Sequence, residues 1–296
     1  MVDPQWSANV GGKFVRPLDD FPEIRERAGL DEWFYLTSVT HDACKTNKTR
    51  AIGGTRTVMG VDVGDIAAYR KYDTRFRGRL TYDGGRDKIA ADLAQVIGVN
   101  VPATVLCNDR GEFSCVQKAP SALLHQNLQM FHDAVRANPP LAEVAIASLA
   151  SRYDPANFVF DVWMGNVDRR INYKNTLISE TSSGFTVWLI DFDNALGHRI
   201  RPWSEDGYKA CGLTPDESPL PYCLKGRGEF LSNFERFADR IESTFAIGDN
   251  LIEEICRRVG LFYGDEVSLS ATKTIADGLK FRKAHLREWS CELLKN

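Results

Sequence analysis

The chain has 296 residues, 43% hydrophobic and 26% charged, an ordinary globular balance with length for one large domain or two lobes. Its net charge of −3 argues against a nucleic-acid binder by bulk charge, and no stretch approaches the roughly 20 apolar residues of a membrane span. The opening MVDPQWSANVGGKF lacks the apolar centre of a secretory signal, and seven dispersed cysteines without a CxxC pair point to reduced thiols in a cytoplasmic setting.

Residues 33–40, WFYLTSVT, are aromatic and β-branched and read as a strand. The polar run that follows ends in Gly-Gly and reads as a loop. Residues 57–72, TVMGVDVGDIAAYRKY, alternate as a hairpin with its turn near Gly64-Asp65. From Asp87, apolar residues at Ile89, Leu93, Val96 and Ile97 have helical spacing, and Gly98 stands just past the last turn. NVPATVLC and EFSCVQKA then read as two strands joined by a turn at residues 108–111.

After Pro120 the texture becomes helical. SALLHQNLQMFHDAVRA, LAEVAIASLASRY and FVFDVWMG read as three helices, with Phe160 and Trp163 as core residues. Two short strands around 175–190 interrupt the set. Residues 199–227 are irregular, and helices are expected near 228–242, 249–259 and 269–294. The expected organisation is α+β: an extension over 1–29, a β-rich lobe over 30–118 and a helical lobe over 119–296.

Two polar clusters follow apolar runs. GNVDRRINYKN comes after FVFDVWM, and DFDN caps TVWLI. Phosphoryl transfer needs a carboxylate to orient the acceptor hydroxyl, and a carboxylate with an amide oxygen to hold magnesium. Asp168 would be the base, with Asn175 and Asp191 as metal ligands. Asn, Asp and Arg also fill ordinary turns, so the first cluster taken alone reads first as a polar loop. The second cluster tips the balance, because a carboxylate beside a core strand needs a compensating partner.

GNVDRRINYKNTLI followed by VWLIDFDNAL resembles the HipA-like kinases, whose catalytic loop runs N-x-D-R-x-x-x-N-x-N-L and whose metal strand runs L-I-D. DKIAADLAQVIGVNVPATVLC resembles the same family's first-lobe helix and strand. Together the matches span roughly 55–195. The resemblance implies a bilobal protein-kinase-like fold with a β-rich N-lobe and a helical C-lobe. It implies ATP and Mg2+ as cofactors and a protein Ser/Thr acceptor, with nucleotide between the lobes. Asp168 takes the role of catalytic aspartate, Asn175 and Asp191 bind magnesium, and Asn166 and Arg169 support them.

The phosphate contact falls to Arg70 or Lys71, which alternation places on opposite strand faces. Lys71 is preferred because a lysine followed by an aromatic residue resembles the family strand. The bland alternative is that both are solvated edge charges. Asp87 stands for the family's helix glutamate, one methylene shorter, and Gln117 is a further candidate nucleotide contact. Asp193 would bind a second metal or cap the strand. THDACKTNKTRAIGGT, residues 40–55, is the sole candidate phosphate loop. Residues 45–88 hold eleven Lys/Arg and five Asp, a local basic field suited to nucleotide phosphates or to an acidic or RNA-bearing partner, and equally readable as a solvated hairpin surface. The rival functions are a pseudokinase serving as a regulatory interaction module with a partner protein, and a kinase of a lipid or small-molecule hydroxyl.

Overall fold

Two hairpins with suitable turn chemistry build the sheet of the first half. Val58–Val63 (β3) and Ile66–Tyr72 (β4) pair antiparallel around Gly64, whose φ of 59° suits a tight hairpin loop. Thr104–Asp109 (β5) and Glu112–Lys118 (β6) turn through Arg110 and Gly111, both at positive φ. Ser38–Thr40 (β1) adds parallel to β5 and Cys44–Thr46 (β2) antiparallel to β3, giving the order β1-β5-β6-β4-β3-β2. The computed structural model describes residues 9–10, 13–47, 58–76, 79–120, 125–137, 139–181, 184–196 and 218–295.

The run expected as one strand over 33–40 divides. After the short helix Pro22–Arg25 (α1), Glu32–Tyr35 (α2) is helical because the Asp31 side chain accepts from Trp33 N at 3.0 Å, and only Ser38–Thr40 pairs in the sheet. Trp33, Cys44, Val61, Ala68, Val105, Cys107 and Val116 form a core cluster. The helix Asp83–Ile97 (α3) packs against β5 and β6.

That helix begins four residues before the expected Asp87, and the reason is tertiary. Its early N–H groups find distant acceptors: Gly84 N donates to Asp73 Oδ1 at 2.6 Å and Gly85 N to Tyr263 Oη at 3.0 Å. Both glycines are needed for close approach. A Cβ on Gly85 would lie 2.8 Å from Val259 Cγ1, and one on Gly84 would lie 3.0 Å from Cys115 N.

The chain divides into two compact units, 1–120 with 247–280, and 121–246 with 281–296. The segment 247–280 contains Asp249–Tyr263 (α4) and the first half of Glu266–Lys295 (α5), so part of the expected helical lobe clusters with the sheet. Residues 15–24 also belong there: Val15 packs on Leu261, and Glu23 Oε1 accepts from Gly248 N at 2.8 Å.

The second unit contains the helices Leu128–Arg136, Pro139–Arg152, Pro155–Met164 and Gly228–Ala238, and the sheet of His125–Asn127, Thr176–Thr181 and Gly184–Leu189. The first expected helix is thus shorter than its pattern, because residues 125–127 pair with 177–179 as a strand. Pro155–Met164 is buried along its whole length, Phe160 and Trp163 included, as a helix apolar on every side should be. Asp154 caps its start, and Gly165 ends it at φ 65°.

Candidate active site

In the second unit the site is organised by Asp161, an acid inside the apolar helix Pro155–Met164 and 1% exposed. Arg169 meets it as a fork, Nε to Oδ2 at 2.9 Å and Nη2 to Oδ1 at 3.1 Å. Asn166 Nδ2 donates to the same carboxylate at 3.1 Å. Burial works against the charge on Arg169, but Asp161 more than offsets it, with a smaller contribution from Asp191, and the guanidinium stays above its ordinary pKa. Burial likewise pushes the Asp161 carboxyl up while Arg169 pulls it back. The two parallel hydrogen bonds have the bidentate geometry of an arginine–carboxylate pair.

Arg169 also reaches past the helix. Its Nη1 donates to Ile190 O at 2.8 Å and to Asn175 O, and its guanidinium lies 5.0 Å over the Phe192 ring. Ile190 N donates to Asn175 O at 3.0 Å, extending the register that pairs Thr176 with Leu189. Asn175 and the strand end before Asp191 are therefore held side by side. Asp191 has φ 65°, a left-handed conformation that costs on the order of 1 kcal/mol for a non-glycine residue. Asp193 follows in the half-buried turn that ends at Leu196.

Asp168 lies in the single turn Val167–Arg170 and is half-buried. Asn172 Nδ2 and Asn175 Nδ2 donate to its Oδ2 at 3.2 and 3.1 Å. Its Oδ1 has no protein partner among the described residues. Because a carboxylate only accepts, the Asn175 amide must face it with nitrogen, which leaves the amide oxygen as a donor for a hard cation. Asn166 Oδ1 is a buried acceptor without a hydrogen bond. Among the described residues no group of three or more His, Cys, Asp or Glu side chains could hold a metal. An Asn175 oxygen with an Asp191 carboxylate nevertheless fits magnesium, which prefers oxygen and keeps several waters or phosphate oxygens of its own.

In the first unit, Lys71 and Arg70 are both buried on β4, an interior strand, so neither is a solvated edge charge. Lys71 Nζ lies 3.5 Å from Asp87 Oδ2 on α3, and the Cys115 thiol lies 3.6 Å from the same oxygen. Gln117, opposite Tyr69 in the register, shares that face; its Nε2 is buried without a partner. Arg70 is on the other face, with Nε to Ser114 Oγ at 2.9 Å, Nη1 at 2.9 Å from His41 Nδ1, and the guanidinium 4.6 Å over the Tyr72 ring. The structure thus unites Lys71, Asp87 and Gln117 and separates Arg70 from them. The expected basic field shrinks, because Arg70, Lys71 and Lys88 are buried and Arg86 pairs with Asp83. The Gly-Gly of the candidate phosphate loop lies outside the described residues.

Sequence reasoning missed Asp161, although a lone acid in FVFDVWM was a signal that a buried cation must lie nearby. It also missed Ser114 and His41, which no spacing rule connects to Arg70.

No family model matches the chain, and no curated protein matches it at significance. Among solved structures it is similar to the Helicobacter pylori proinflammatory kinase CtkA, with a TM-score of 0.59 and 14% identity over 86% of this chain and 99% of that one. The chain has a kinase-like α+β fold. A Shewanella oneidensis MR-1 complex of HipA, HipB and operator DNA also matches, at TM-score 0.39 and 15% identity over 85% of this chain and 68% of that one, too loose a superposition to argue from. The CtkA likeness is one of fold, and it is consistent with the resemblance to HipA-like kinases that the two motifs carry. No helix among the described residues is long and apolar enough to cross a membrane.

Proposed function

We propose that the chain is an ATP- and magnesium-dependent kinase that phosphorylates a protein Ser or Thr hydroxyl. The observation that carries this reading is the state of Asp168: two amides hold Oδ2, and Oδ1 is left for a substrate. An acceptor hydroxyl donating to Oδ1 would be oriented for attack, and its proton has a base at hand. Asn175 serves twice, fixing Asp168 through nitrogen and offering oxygen to the cation. Magnesium, held by Asn175 and Asp191, supplies charge neutralisation on the phosphates. Lys71, steadied by Asp87, contacts the nucleotide phosphates, and Gln117 supplies a polar contact on the same sheet face. Arg169 is a positioning residue, since it fixes the Asn175 carbonyl and the strand end before Asp191.

The test is Asp168→Asn. Transfer to a protein acceptor should fall on the order of a hundredfold or more, while calorimetric MgATP binding is retained. Asp191→Asn should lose magnesium-dependent binding as well. Wild-type turnover by folded Asp168→Asn would leave the loop a plain turn and the kinase reading without its base.

A second reading, a nucleotide-binding regulatory module without transfer activity, is favoured by one observation. The Lys71–Asp87 contact of 3.5 Å is longer than the roughly 2.7–2.9 Å of a charge-assisted hydrogen bond. MgATP binding with no transfer to any hydroxyl acceptor would select it.

A further inference from the structure

The loop that presents Asp168 continues into an exposed surface that the phosphoryl chemistry does not use. Ile171, three residues on, is 68% exposed, and Tyr222 is 59% exposed. The Arg170 guanidinium lies 6.0 Å from the Tyr222 ring centre, and Tyr173 is a hydrogen-bonded neighbour of Cys223, so 170–174 and 222–225 form one surface. A single exposed apolar side chain is common on any protein. Here two of them lie on the segments that also carry Arg170, Lys174 and Lys225. Arg170, Lys174 and Lys225 make no ion pair among the described residues, whereas nearby Arg227 is committed to Glu143 at 2.6 Å. Among the described residues these three cations have no acidic partner, on a chain whose net charge is −3.

We propose that this surface, Arg170, Ile171, Lys174, Tyr222 and Lys225, docks the acceptor as an acidic segment of a protein that carries an apolar anchor residue beside its hydroxyl. The proposal rests on the kinase reading above and adds the acceptor's class to it. Charge complementarity argues for the acidic segment: unpaired cations next to the reacting group draw carboxylates in and reject a basic partner. Ile171 argues for a protein over a nucleic acid, because an aliphatic side chain gives nothing to a phosphate backbone.

The experiment uses the whole chain and two short fluorescein-labelled peptides with a central serine and a leucine beside it, one flanked by glutamates and the other by lysines. Binding is followed by anisotropy, which requires no transfer. The glutamate peptide should bind about tenfold more tightly or better, with the advantage fading as salt screens it. Arg170→Glu with Lys174→Glu should reverse the preference while MgATP binding stays unchanged. Ile171→Ser should weaken the glutamate peptide without altering its salt dependence. Equal binding of the two peptides, a preference that survives charge reversal, or tighter binding of an oligouridylate probe would each overturn the proposal. Phosphate transfer is then read on the same peptides. Charge-dependent binding without transfer would leave the docking surface standing and sink the kinase reading. Transfer to both peptides with the same KM would do the opposite.

Discussion

Arg169 joins three stretches of chain through one planar group. It is fully buried, so removing it strands Asp161 in the core. Arg169→Met should cost roughly 3–5 kcal/mol, as measured by urea denaturation, because breaking a buried pair leaves an uncompensated charge. The neighbouring residues on β4 face opposite sides of the sheet. Lys71 meets Asp87, whereas Arg70 bonds Ser114 and stacks near Tyr72. Lys71→Ala should therefore weaken MgATP binding in calorimetry more than Arg70→Ala does, and Arg70→Ala should lower the unfolding midpoint more. The reverse order in both measurements would give the phosphate contact to Arg70.

Helix α3 carries several buried charges. Lys88 and Asp92 pair at 2.8 Å, one turn apart, and both are almost wholly buried; Lys88 also donates to Trp33 O at 3.2 Å. Burial pushes the Asp92 carboxyl up to about 6 in spite of Lys88, and burial pulls the Lys88 amine down. A carboxyl with a raised folded pKa holds its proton more tightly in the folded chain than in the unfolded one. Its contribution to stability is full below the ordinary carboxylate range and is lost as pH rises towards about 6. Asp92→Leu alone should destabilise, since it leaves Lys88 buried without its carboxylate. Lys88→Met with Asp92→Leu should be neutral or more stable by up to a few kcal/mol near neutral pH, and should flatten the pH dependence between roughly 4 and 6. Denaturant titrations at several pH values check both. A double variant far less stable than wild type would mean that the Lys88 bond to Trp33 O outweighs the cost of burying the pair.

For the whole molecule, the division of the chain sets what can fold alone. Gly85 is in contact range of Val259 and Tyr263, and the Tyr263 hydroxyl donates to Asp73 at 2.6 Å. Residues 1–120 expressed alone should lack cooperative thermal unfolding, and joining 247–280 to them through a flexible linker should restore it. A cooperative transition for 1–120 alone would show that α4 is dispensable. For the full chain, saturating MgATP should raise stability by about 2.7 kcal/mol at a hundredfold excess over Kd, read as a thermal shift that disappears without magnesium.

Features fixed by neighbouring residues were legible from the amino-acid order. The two hairpins, the helix end at Gly98 and the end of the FVFDVWMG helix at Gly165 follow from turn and cap chemistry acting over a few residues. The Asn166–Asp168–Asn175 and Asp191 clusters stood out in the sequence because polar residues directly after an apolar helix and at the end of an apolar strand break the local pattern. What only the tertiary structure decided depends on partners far along the chain. The N-terminus of α3 is satisfied by Asp73 and Tyr263, the face of Lys71 is chosen by Asp87, and 247–280 joins the sheet unit through α3. Asp161 belongs to the same class: its sequence says that a buried acid needs a cation, and only the fold supplies Arg169, since local periodicity carries no information about which distant charge will be brought to it.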